Sequence, residues 1–193
     1  MTTTKIRGFD SQRLFQKAQK AVESRIMMEV ESLGYTDPVS KRMIMLGRAA
    51  STYAENMVEQ TFISMGYKTK NFGDSSQSDK DLQVKINGIW YSVEVKSARA
   101  HKSTESFNFQ GINPAKFDIL VCVYIAKDGI YMVMAHRNAI GPWLKRFSKW
   151  HRYEGTRQGF QLIMSKHRTN KNMRGNQVLF DLNKKNIRTM LSS

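Results

Sequence analysis

A chain of 193 residues with 40% hydrophobic and 10% aromatic content is long enough for one well-buried core, and that composition excludes a disordered polypeptide. No apolar run reaches the length of a membrane span, and the opening MTTTKIRGFD lacks the apolar core of a secretory signal, so the expectation is a cytoplasmic protein with no membrane partner. The single cysteine, Cys122, excludes an internal disulfide and a multi-cysteine zinc cluster, while a net charge of +15 points to a polyanionic partner.

Residues 2–10 read as a loose polar arm. From Ser11, apolar residues at Leu14, Phe15, Ala18, Ala21, Val22, Ile26, Met27, Val30 and Leu33 make a helical stripe, with Ser11 as cap and Gly34 as stop. Its charges mix both signs, which predicts an amphipathic helix packed on the body of the protein. Asp37-Pro38 marks a turn. A second helix is predicted over residues 40–65, bent near Gly47, with Glu55 and Glu59 side by side one turn apart. Residues 67–72 follow as a strand, and 73–78 as a polar loop.

Asn87-Gly88 is a strong hairpin signal, because a type I′ turn needs positive φ at both central positions. Strands are predicted over residues 81–86 and 89–96. Side chains alternate, so Trp90, Ser92, Glu94 and Lys96 share one face. With the turn centred between residues 87 and 88, Asp81 falls opposite Glu94. Like charges facing each other on paired strands repel, and a divalent cation removes that conflict. Mg2+ is typically held by one or two carboxylates with water and phosphate oxygens, and a lysine beside it orients or deprotonates water, or neutralises charge on a phosphate. Asp81, Glu94 and Lys96 therefore outline a phosphodiester hydrolysis site, with Asp74 and Asp79 as weaker competitors for the metal.

Residues 98–106 read as a polar, basic loop in which Arg99 and Lys102 lie over a nucleic-acid backbone. Residues 107–117 lead back into the sheet, with a short helix capped by Asn113 ahead of Pro114. Residues 119–125 are apolar on both faces, as in a central strand, and Asp128-Gly129 turns the chain into a returning strand over 130–135. Past Pro142, a helix is predicted to line up Trp143, Phe147, Trp150 and Tyr153 as a core stripe. Two further strands, 160–165 and 178–182, flank the basic loop KHRTNKNMRGN, whose Lys166, Arg168, Lys171 and Arg174 are the candidate phosphate contacts. From residue 141 onward, twelve lysines and arginines stand against Glu154 and Asp181.

At Asp81, and thirteen positions on at Glu94, Val95 and Lys96, the sequence resembles the PD-(D/E)XK nuclease superfamily, which includes many restriction enzymes and archaeal Holliday-junction resolvases. Lys80 stands where the motif has proline. The similarity covers about residues 47–136, with AASTYAENMVEQTFISMGYKTKNF preceding the motif and FNFQGINPAKFDILVCVYI following it. The resemblance implies that the backbone carbonyl of Val95 completes the metal shell formed by Asp81 and Glu94. It also implies that Glu55, eleven positions before Gly66, reaches towards the metal, and that Gln110 supports the lysine or the phosphate. The expected fold is α/β, restriction-endonuclease-like, with a mixed central sheet of four to five strands flanked by helices. It is expected as one domain: an N-terminal helical extension over 1–46, a catalytic core over 47–136 and a basic DNA-binding part over 137–193. The implied activity is that of a Mg2+-dependent DNA endonuclease, with Mn2+ able to substitute, of restriction type and homodimeric. A Holliday-junction or other structure-specific nuclease, and a DNA-binding protein that does not cut, are the alternatives.

Overall fold

An unbroken apolar run sets the centre of the molecule. In the computed structural model, Ile119–Ala126 form strand β5, and all eight side chains are buried. The structure describes residues 11–72, 81–102, 104, 106–152, 158–165 and 178–192. Strand β5 pairs in parallel with β3 (Ile89–Arg99) and antiparallel with β6 (Gly129–His136). With β1 (Lys68–Asn71), β2 (Leu82–Ile86) and the short β9 (Phe180–Asp181), the sheet runs β1-β2-β3-β5-β6-β9. It is therefore mixed, as expected, but six strands wide.

The N-terminal helices cover one face. Helix α1 (Ser11–Ser32) precedes α2 (Pro38–Met45) and, after a 3-10 turn at Gly47–Ala49, α3 (Ala50–Ser64). The predicted bend falls at Gly47. Ala54, Val58 and Phe62 recur every four residues on α3 and are fully buried, so one stripe lies down on the β1-β2-β3 side of the sheet. Burial of a side chain such as Phe62 stabilises the fold by roughly 1.5–3 kcal/mol. Helix α4 (Arg137–Phe147) follows β6, and α5 (Lys184–Ser192), which carries no sequence expectation, ends the described chain.

The other face is covered by a second sheet that sequence reasoning did not foresee, ordered β4 (Ser106–Ile112), β8 (Gln158–Ser165), β7 (Trp150–Arg152). Phe107 and Phe109 of β4 meet Tyr124 of β5 edge-on at 4.8 and 5.1 Å, and the Tyr124 hydroxyl donates to the Met164 sulfur at 3.1 Å. Tyr124 is registered with Ala98. The second sheet therefore lies on the face that carries Ala98, Lys96 and Glu94.

Three local expectations are corrected. Among the described side chains of α1, from residue 16 on, the C-terminal ones pack on the body: Val30 is buried and Ile26 and Leu33 touch the core, while residues 16–25 are exposed and Val22 is 56% exposed. The aromatic stripe after Pro142 does not form, because the helix ends at Phe147, Ser148 turns extended, and Trp150 enters β7. Phe147 and Trp150 are 59% and 45% exposed. A turn, in which the Ala115 amide donates to the Asn113 side chain, replaces the short helix at Pro114. Among the described residues, no helix is long and apolar enough to cross a membrane.

Candidate active site

The site begins where a hairpin runs out of partner. Asn87 and Gly88 take φ of 50° and 86°, and the register runs from Ile86 opposite Ile89 to Leu82 opposite Val93. Beyond Leu82 strand β2 stops, but β3 continues to Arg99. From Glu94 onward the β2-facing edge of β3 has no strand partner among the described residues. Asp81 occupies the next position on the hairpin, opposite Glu94, as the turn geometry predicts.

Instead of a strand carbonyl, the Asp81 carboxylate accepts the Val95 amide, N to Oδ2 at 2.6 Å. The N–H and C=O of one strand residue project to the same edge, so the Val95 carbonyl also faces the open side on which Asp81 sits. Glu94 and Lys96 lie two residues apart on one face, and their Oε1 and Nζ atoms are 2.5 Å apart. Their side chains are 14% and 26% exposed, so neither is sealed in the core. Burial, and secondly the negative charge of Glu94, push the Asp81 carboxyl above the usual carboxylate range, against the opposing pull of the Val95 amide and Lys96. Two carboxylates and a carbonyl thus meet at one edge, where the single Lys96 cation offsets only one of the two negative charges. That donor set suits a hard divalent cation that keeps several waters. It falls short of a cage, since among the described residues no three His, Cys, Asp or Glu side chains form a metal-holding group.

Glu55 does not join the pair to make such a group. It is half-buried on α3, one turn before Glu59, whose carboxylate accepts from Thr69 at 3.0 Å and Asn71 at 2.8 Å and so ties α3 to β1. Gln110 is exposed on β4. Phe107 and Phe109 turn inward, so Gln110 points away from the main sheet and lines a cleft with Arg99 and Lys102. Arg99 lies at the end of β3 rather than in a loop, because β3 runs three residues further than the pattern predicted. Asp74, Asp79, Lys166, Arg168, Lys171 and Arg174 lie outside the described residues.

Other groups around the site carry no sequence expectation. Asp118, just ahead of β5, accepts from the Ser92 amide and hydroxyl, both at 2.8 Å, and pairs with Arg137 at 3.3 Å. This latch fixes the stretch of β3 that leads into Glu94. Cys122 is registered with Lys96, but burial pushes its thiol far above the usual range, which removes it as a nucleophile. Lys85 stands opposite Trp90, and Lys68 opposite Lys85, on the same face as Glu94. The Lys70 and Lys85 ammonium groups lie 4.5 and 5.8 Å from the Trp90 ring centroid. The hairpin register that pairs Asp81 with Glu94 also pairs Lys85 with Trp90, so this basic and aromatic patch was within reach of the sequence.

No family model matches the chain, and no curated protein matches it. Among solved structures, the chain is similar to the bacterial homing endonuclease I-Ssp6803I, with a TM-score of 0.46 and 13% identity over 64% of this chain and 80% of that one. At that level the likeness assigns neither a family nor an activity.

Proposed function

We propose that the protein is a metal-dependent DNA endonuclease that uses Mg2+, with Mn2+ as a substitute. The observation that carries this reading is the convergence on one open strand edge of the Asp81 carboxylate, the Val95 backbone and the Glu94–Lys96 pair. Asp81, Glu94 and the Val95 carbonyl would hold the cation. When bound, it supplies electrostatic stabilisation of charge developing on the phosphate and lowers the pKa of a bound water. Lys96 sits beside these donors and orients the attacking water or balances charge on the phosphate oxygens. The water oxygen bonds to phosphorus in line with the departing sugar oxygen, whose bond to phosphorus breaks; the attacking water gives up its proton to solvent, and the sugar oxygen takes one up from solvent. The net charge of +15 supplies the attraction to a DNA backbone.

Cutting both strands of a duplex needs two such sites, which makes a restriction-type homodimer the first reading. The cleft beside Arg99 favours a second reading, a structure-specific nuclease. Incubation with supercoiled plasmid and with branched DNA, in Mg2+ and in EDTA, tests the class. Mg2+-dependent nicking or fragmentation is expected, and DNA that is bound but left intact under every metal condition contradicts the proposal.

A further inference from the structure

Past Lys96, the open edge of β3 runs into a cleft of about 930 Å3 between the C-terminal end of α1 and the second sheet. Ser97 and Arg99 alternate with Val95 along the strand, so their backbone N–H and C=O groups project to that same edge and into the cleft. The lining divides by chemistry. Leu33 and Ile163 supply apolar surface, and Ile163 is 57% exposed there. Arg99, Lys102 and Lys127 bring positive charge, against the single carboxylate of Glu29. Gln110 adds an amide with two donors and an acceptor. Tyr35 sits at the base, its hydroxyl held by the Ala100 carbonyl at 3.4 Å.

A regular duplex matches half of this surface. Its phosphates suit the cations, but its bases are stacked inside the helix and leave Leu33 and Ile163 facing water or a charged backbone. An unpaired nucleotide matches both halves, with the base against the apolar surface and Gln110, and the flanking phosphates towards the cations. The volume lies within the usual span for sites that enclose a small molecule, roughly 300–1,000 Å3. We propose that this cleft holds an unpaired nucleotide of the DNA strand next to the phosphate at Asp81 and Glu94. The nucleotide preference rests on the nuclease reading only for which phosphate it adjoins. On this account the cleft selects, within the structure-specific reading rather than the restriction-type one, DNA with a flap, a bulge or a flipped base near the cut.

Binding measured by fluorescence anisotropy in EDTA, where no strand is cut, separates the two. The probes are a blunt duplex, the same duplex with one unpaired nucleotide, and free deoxyadenosine monophosphate as competitor. Preference for the bulged duplex of about ten-fold is expected, the scale of one base contact. Ile163→Asp, and separately Lys127→Ala, should bring that ratio towards one while circular dichroism reports an unchanged fold. Equal affinity for blunt and bulged DNA, an unchanged ratio in both variants, or a ratio that a large excess of the free mononucleotide leaves untouched overturns the cleft proposal. Cleavage is scored separately: Mg2+-dependent cutting with a ratio of one sinks the cleft and leaves the nuclease standing. A ratio of ten without cutting in Mg2+ does the reverse.

Discussion

Asp81 carries the tension of the site. Burial and the facing Glu94 make its carboxyl hold a proton more tightly in the folded chain than in the unfolded one. Between the ordinary carboxylate range and the raised folded value, the folded state therefore binds more protons, and stability from this group falls as pH rises through that window. Below the window, the contribution is fully present. Thermal denaturation of wild type and Asp81→Asn in EDTA, across a pH series, isolates the effect. The asparagine oxygen still accepts the Val95 amide, so the variant should lose that slope and gain up to about 1 kcal/mol above the window, the scale of a like-charge cross-strand pair. A variant less stable than wild type throughout would show that the two carboxylates do not oppose each other. At this scale the pairing of Asp81 with Glu94 was legible, because Asn87-Gly88 fixes the register by turn geometry alone. The direction of Gln110 was not, since it depends on which sheet β4 joins.

Elements differ in how far local pattern decides them. The run at Ile119–Ala126 declares a central strand because every position is apolar, and all eight are buried. The second sheet was invisible for the opposite reason: β4 and β8 meet only through long-range pairing, and their inward residues are ordinary alternation. Its weak point is Gly159. A Cβ there would stand 2.5 Å from the Gly111 carbonyl carbon and 2.7 Å from the Ile112 nitrogen, so backbone rather than a flexible side chain must move. Gly159→Ala should cost about 1–3 kcal/mol by chemical denaturation. A loss near zero would mean that β4 and β8 do not approach so closely. The Lys70, Lys85 and Trp90 patch gives a second element-scale expectation. Trp90 stands four residues from Glu94, about 13 Å along the strand, so under the proposed function it would meet DNA beyond the cut phosphate. Lys70→Ala with Lys85→Ala should lower the salt slope of DNA affinity by about two. An unchanged slope would show that neither lysine reaches a phosphate. The stripe of α1 failed as a burial signal because periodicity reports an apolar face without saying whether anything lies against it.

For the molecule as a whole, the α/β class and the mixed sheet followed from the order of predicted strands and helices, while the sheet's width depended on β9, a two-residue pairing inside the predicted strand 178–182 whose place beside β6 no local pattern declares. The basic charge was plain in composition, but charge names a polyanion and not a reaction. Under the proposed function, what turns attraction into chemistry is the small set of groups at the end of β2. Single-turnover cleavage of end-labelled DNA by wild type and Lys96→Ala, each in Mg2+ and in EDTA, addresses that set most directly. The account predicts cutting by wild type in Mg2+ alone, with Lys96→Ala slower by about 100-fold or more and DNA affinity little changed. Cutting by Lys96→Ala at the wild-type rate, or cutting that survives EDTA, would contradict it.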